Sequence, residues 1–188
     1  MNSLTKIMDF NNEFVANEDY RPLATTKHPS KELVIVSCMD TRLTELLPKA
    51  MNIANGDAKI IKVAGAVINH PFGSVMRSIL VAVHALGAEE VMVIGHDDCG
   101  MANTQPDQLL SKMIDGGVDP STIEMLEHAG LNFQELLKGF DSIEASVEDS
   151  VQMVRNHPLI PKRIKVSGLV INPETGALRV VVDGYQPN

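Results

Sequence analysis

Two short segments carry side chains able to act on one centre: Cys38-Met39-Asp40-Thr41-Arg42 and His96-Asp97-Asp98-Cys99. Between them they hold both of the 2 cysteines in the chain. Zinc favours tetrahedral coordination by thiolate and imidazole, and a catalytic zinc keeps three protein ligands with one position open to water or substrate. Cys38, His96 and Cys99 supply that number. A lone His-x-x-Cys is a weak signal; its pairing with Cys-x-Asp-x-Arg at a strand end is far more specific. Arg42, two residues beyond Asp40, can hold that carboxylate in a bidentate pair.

Blander readings exist for each residue. A free cysteine is often just a buried apolar group, yet a core cysteine gives no reason for the adjacent Asp-x-Arg. A disulfide belongs to oxidising compartments, and a thiol redox centre normally shows Cys-x-x-Cys, which is absent here. Asp40 and Arg42 read as an isolated surface pair would contribute little to stability. Asp97 and Asp98 are expected to cap a following helix. His84, His128 and His157 carry no motif, and the 10 methionines read as core filling.

The elements that must position these residues follow from periodicity. Residues 33–37 form a short β-branched run that delivers Cys38 at its end, and residues 59–63 and 90–95 form two more. Between the last two, residues 72–86 place Val75, Met76, Ile79, Leu80, Val83 and Leu86 on one helical face, with Gly87 as its stop. Residues 101–141 are more polar and punctuated by Pro and Gly, which reads as short helices and loops, one starting at Asp119-Pro120. Residues 142–156 return to a clean helical period. Two apolar runs, 164–171 and 178–182, flank the turn-forming Asn172-Pro173-Glu174-Thr175-Gly176, a closing β-hairpin. Strands alternating with helices imply an α/β fold, with a mostly parallel sheet covered on both sides and ligands at its carboxyl edge. Gly95 and Gly100, bracketing the second segment, are expected to permit its tight path.

Bulk composition narrows the function. At 188 residues the chain suits one domain. Aromatics at 4% with no tryptophan leave little to stack on bases, and a net charge of -8 disfavours nucleic acid or an anionic membrane as partner. The N-terminal segment has Leu4, Ile7, Met8, Phe14 and Val15 at helical spacing, but Lys6, Asp9 and Glu13 interrupt it, so it is not a secretory signal. A soluble, cytoplasmic protein is expected.

Taken together, the two segments resemble the signature of the β-class carbonic anhydrases, compact branch. The similarity extends through Gly56-Asp57-Ala58, Ala64-Gly65, Met76-Arg77-Ser78 and the closing hairpin. The resemblance implies a doubly wound sheet of about five strands, four parallel and the last antiparallel. It implies a single domain over residues 1–188 whose helical arm, residues 1–30, packs on a partner subunit in a homodimer or larger homo-oligomer. It implies Zn²⁺ as cofactor and reversible hydration of carbon dioxide to bicarbonate as the reaction, with Cys38, His96 and Cys99 as ligands. Asp40 would orient the nucleophile, or leave Arg42 and take the fourth zinc position, closing the site. Arg42 would hold Asp40 open. His28 and His70, each before a proline, are candidate proton shuttles. Two departures stand out: Ala66 follows Ala-Gly where the family often has asparagine or glycine, and Ala54 occupies the position of a glutamine in plant-like members. Rival functions are hydrolysis of carbonyl sulfide or carbon disulfide, and a noncatalytic zinc-binding role.

Overall fold

A computed structural model describes residues 2–186; Met1, Pro187 and Asn188, which the expected 1–188 domain includes, lie outside the described residues. The elements in chain order are α1 (Ser3–Ala16), β1 (Leu33–Cys38), α2 (Leu43–Ala50), β2 (Ala58–Val63), α3 (Ser74–Leu86), β3 (Glu90–His96), α4 (Pro106–Asp115), α5 (Pro120–His128), α6 (Phe133–Leu136), α7 (Ile143–Arg155), β4 (Lys165–Ile171) and β5 (Leu178–Val182). The strands form one sheet in the order β2-β1-β3-β4-β5, parallel except for β5, which runs antiparallel to β4. The expected α/β class and five strands are therefore found.

The β-branched runs form the interior strands because burial on both faces suits them. All six residues of β1 are buried, and β3 carries Val91, Val93 and Ile94 at no exposure. One sheet face packs against α3 and α7 through Val34, Val36, Met76, Ile79, Val83, Val147, Val151 and Val154. The other takes Leu43 and Leu47 of α2 against Leu33, Ile35, Ile94 and Ile171. Each such side chain, fully buried, contributes about 1.5–3 kcal/mol.

Boundaries follow local chemistry. Gly87, at φ 77, ends α3 in the left-handed conformation that glycine adopts without a Cβ penalty. Asp119 caps α5 by accepting from the Ser121 amide, and Ser142 caps α7 by accepting from Ala145. The closing hairpin forms as expected, with Asn172 Oδ1 accepting from the amides of Glu174 and Thr175. Helix α2 was not anticipated, since Pro48 sits inside its short span and reads as a breaker. Helix α1 has no buried residue, and Leu4, Ile7 and Phe10 are exposed.

Strand order reverses between β1 and β3: from β1 the chain moves outward to β2, and from β3 it moves the other way to β4. The crevice beyond the carboxyl ends at such a reversal is where open α/β sheets bind ligands. Cys38 ends β1 and His96 ends β3.

Two sheet glycines let α7 lie close. A Cβ on Gly95 would stand 2.5 Å from Ile143 Cδ1, and one on Gly168 would stand 2.6 Å from Val147 Cγ1 and 3.0 Å from Val151 Cγ2. Gly95 thus serves packing rather than the tight path expected of it. Because Val147 and Val151 are stiff and buried, Gly168→Ala should lower unfolding free energy by about 1–3 kcal/mol. An unchanged denaturant midpoint in that variant would show the lane to be slacker than its geometry.

Candidate metal centre

Cys38, His96 and Cys99 are all buried, and one ligand atom from each lies within 4.8 Å of the others. The two sulfurs are 3.9 Å apart. His96 Nδ1 lies 2.8 Å from the carbonyl oxygen of Asp97, which can only accept, so Nδ1 carries the proton and Nε2 bears the lone pair. That Nε2 is buried and has no hydrogen-bond partner among the described residues. Leaving such an acceptor unpaired costs about 1–3 kcal/mol. A cation among three convergent donors removes that cost.

Local backbone shape brings the donors together. After β2, the turn Ala64–Ala66 holds Gly65 at φ 67 and Ala66 at φ 58. A Cβ at Gly65 would meet Phe140 Cε1 at 3.0 Å, so glycine is required there on two counts. Ala66 takes the left-handed conformation without glycine's freedom, a strained choice for a residue with a Cβ. Backbone amides of Asp40 and Gly65 are directed to the Cys38 sulfur and that of Met101 to the Cys99 sulfur. In the second segment the tight path is carried by Asp98, at φ 53, rather than by Gly100.

Asp40 and Arg42 form the expected bidentate pair. Arg42 Nε donates to Asp40 Oδ1 at 3.1 Å and Nη2 donates to Oδ2 at 2.9 Å, while the Arg42 amide adds a bond to Oδ1 at 2.9 Å. The same Oδ2 stands 3.7 Å from His96 Nε2, beside the donor cluster. Bonding to Arg42 pulls the Asp40 carboxyl down to about 2. Its ion pair is therefore complete above the ordinary aspartate value and is lost only as pH falls toward about 2.

The aspartates between the ligands do not cap a helix, correcting that expectation; the chain turns after them, and both instead pair with arginines. Arg42 Nη1 donates to Asp98 Oδ2 at 3.0 Å and Nη2 to the Asp98 carbonyl at 3.0 Å. Arg179 of β5 grips Asp97 through both nitrogens, at 3.0 and 2.8 Å. No spacing signal could reveal these contacts, because the partners are 56 and 82 residues apart.

The histidine candidates divide. His28 Nδ1 binds the Leu86 carbonyl at the end of α3. Since α3 leads into the start of β3, His28 sits at the amino edge of the sheet, about 20 Å of strand away from the ligands. His70 is exposed on the loop after Ala64–Ala66, its Nδ1 accepting from the Phe72 amide.

Buried thiols resist losing protons, but these two help each other once. The hydrogen bond from Cys99 leads the influences that bring Cys38 down to about 4 against burial, while that same bond and burial push Cys99 up. The pair sheds one proton readily and the second with difficulty unless a cation compensates. Burial works against a charged His96, but the neighbouring Cys38 sulfur and the Asp97 carbonyl outweigh it and raise the imidazole.

A family profile described as "Carbonic anhydrase" matches residues 33–178. YvdA of Bacillus subtilis (strain 168), a protein named only provisionally as a carbonic anhydrase, is 56% identical over 186 residues, covering 99% of this chain and 94% of the relative. A carbon disulfide hydrolase of Acidithiobacillus thiooxidans is 32% identical over 159 residues, covering 80% of this chain and 77% of its own. The crystal structure of β-carbonic anhydrase isoform I from Trichomonas vaginalis superposes with a TM-score of 0.86 at 33% identity, over 98% of this chain and 100% of that one.

Metal-free protein should accordingly carry one thiolate per chain at neutral pH. Thiolate ultraviolet absorbance should fall as pH drops through about 4. Two fully protonated thiols at neutral pH would contradict the sulfur pairing.

Proposed function

This chain belongs to the β-carbonic anhydrase family, and from that premise we propose that it catalyses the reversible hydration of carbon dioxide to bicarbonate and a proton at a zinc ion held by Cys38, His96 and Cys99. The observation that carries the reading is the unpartnered Nε2 of buried His96 facing two sulfurs 3.9 Å apart. Two thiolates and a neutral imidazole cancel the charge of a divalent cation, and this mixed sulfur and nitrogen set suits zinc. Zinc bound there supplies the Lewis acidity that makes a nucleophile from water near neutral pH.

The protein's own residues do the positioning. Asp40, ionised across the physiological range, can only accept a hydrogen bond. Asp40 would accept a hydrogen bond from the attacking oxygen and so orient that oxygen's free lone pair toward the substrate carbon. Arg42 holds the carboxylate by two side-chain bonds and keeps it off the metal position, while Asp98 holds the far side of the same guanidinium. Held this way, Asp40 favours an active arrangement over a closed one in which it would serve as fourth ligand. His70 remains the shuttle candidate on the carboxyl side of the sheet, and His28 does not.

No helix of the described residues is long and apolar enough to cross a membrane. We place the protein in the cytoplasm, where a reducing environment keeps both cysteines as metal-binding thiols. The exposed apolar residues of α1, Leu4, Ile7 and Phe10, suit packing on a second copy, as a homodimer or larger homo-oligomer. The similarity to a carbon disulfide hydrolase supports one runner-up substrate, a linear molecule with the same electrophilic carbon.

Stopped-flow assays on zinc-loaded protein test the reading. Carbon dioxide hydration should rise with pH through the neutral range, as a deprotonated nucleophile requires, with no contribution from Asp40, whose carboxyl titrates far below it. Turnover of carbon disulfide without carbon dioxide hydration would favour the runner-up. Arg42→Ala should retain zinc yet lose at least about tenfold in kcat; wild-type turnover in that variant would remove Arg42 from the mechanism.

A further inference from the structure

We infer that Arg179 is a positioning residue for the metal centre, acting by holding Asp97 and thereby fixing the backbone carbonyl that orients His96. The inference rests on reading Cys38, His96 and Cys99 as ligands. It concerns a residue on the last strand of the sheet, distant in sequence from all of them.

His96 is the last residue of β3, and its Nδ1–H donates to the carbonyl of its immediate neighbour, Asp97. The direction in which Nε2 points therefore depends on how the Asp97 peptide is turned. Left to itself that peptide has freedom, because it stands between a strand end and Asp98 in the left-handed region. Two anchors remove the freedom. The Asp97 amide donates to the Ile171 carbonyl of β4 at 3.1 Å, and the Asp97 carboxylate is gripped by Arg179 through both oxygens.

Arg179 is itself placed from two sides. It stands opposite Val170 in the β4–β5 register, and its Nη2 also donates to Glu144 Oε1 at 2.7 Å in the first turn of α7. Strands β4 and β5 thus hold the one residue whose carbonyl sets the imidazole, and α7 steadies the arginine that does so. The side chains of Arg179 and Asp97 are 45% and 36% exposed, so their pairing adds little to overall stability. Orientation is what a fork with two parallel bonds supplies beyond charge, since it fixes direction as well as distance. Together with Arg42 on Asp98, each aspartate between the two ligands is held by an arginine from a different part of the chain.

The test compares zinc dissociation constants, from competition with a chromophoric chelator, for wild type, Arg179→Gln, Arg179→Lys and Asp97→Asn. The visible spectrum of each cobalt-substituted protein reports ligand geometry directly, which a merely structural contact would leave unmoved. Arg179→Gln should weaken zinc about 10–100-fold and shift the cobalt bands. Asp97→Asn should do the same, and the double variant should lose little more, as partners in one interaction do. Arg179→Lys, with a point charge in place of the fork, should recover only part of the affinity. Wild-type zinc affinity and an unshifted cobalt spectrum in Arg179→Gln overturn the inference. Should that variant not fold, Arg179→Lys decides, and wild-type values there overturn it equally. A wild-type protein that binds no zinc sinks the metal reading itself, a separate and distinguishable result.

Discussion

A nitrogen lone pair buried beside two sulfur atoms, with no donor to satisfy it, is the constraint around which this fold is arranged. His96 Nε2 is such an atom. Protein interiors rarely tolerate unpaired polar atoms, and two nearby thiols that share their protons unequally add to the tension. A divalent cation bound there would resolve both problems, because it would accept all three lone pairs and let the second sulfur lose its proton. Metal uptake, proton release and local order are then one coupled event.

The sheet explains how three donors from two distant segments meet. Cys38 and His96 end adjacent parallel strands on either side of the point where strand order reverses. Cys99 comes back to them through the left-handed turn at Asp98. Around this cluster the chain spends its charged residues on direction more than on stability. Arg42 joins Asp40 to Asp98, and Arg179 joins Asp97 to Glu144. These partly exposed pairs are individually weak, but forked arginine–carboxylate bonds fix direction as well as distance.

Much of this was legible in the residues themselves. Continuous β-branched runs marked β1 and β3, because strands buried on both faces have no polar side to display. The apolar stripe of α3 and the helical period of α7 were visible for the same reason: their chemistry is local. The donors and the Asp40–Arg42 pair lay within short segments and could be read by spacing. What escaped was whatever depends on tertiary neighbours. Helix α2 forms across Pro48 because Leu43 and Leu47 are buried against the sheet, which overrides a weak local preference. Gly95 read as freedom for a tight backbone path, yet it is a clearance for Ile143 and Val147. Asp97 and Asp98 looked like caps because their true partners, Arg179 and Arg42, reach them only once the strands are ordered.

The most direct test of the central claim is X-ray absorption at the zinc edge on protein purified with its native metal content. Stoichiometric zinc is expected, with two sulfur scatterers at about 2.3 Å and nitrogen or oxygen scatterers at about 2.0–2.1 Å. A shell without sulfur, or folded protein that holds no zinc and takes none up, would contradict it.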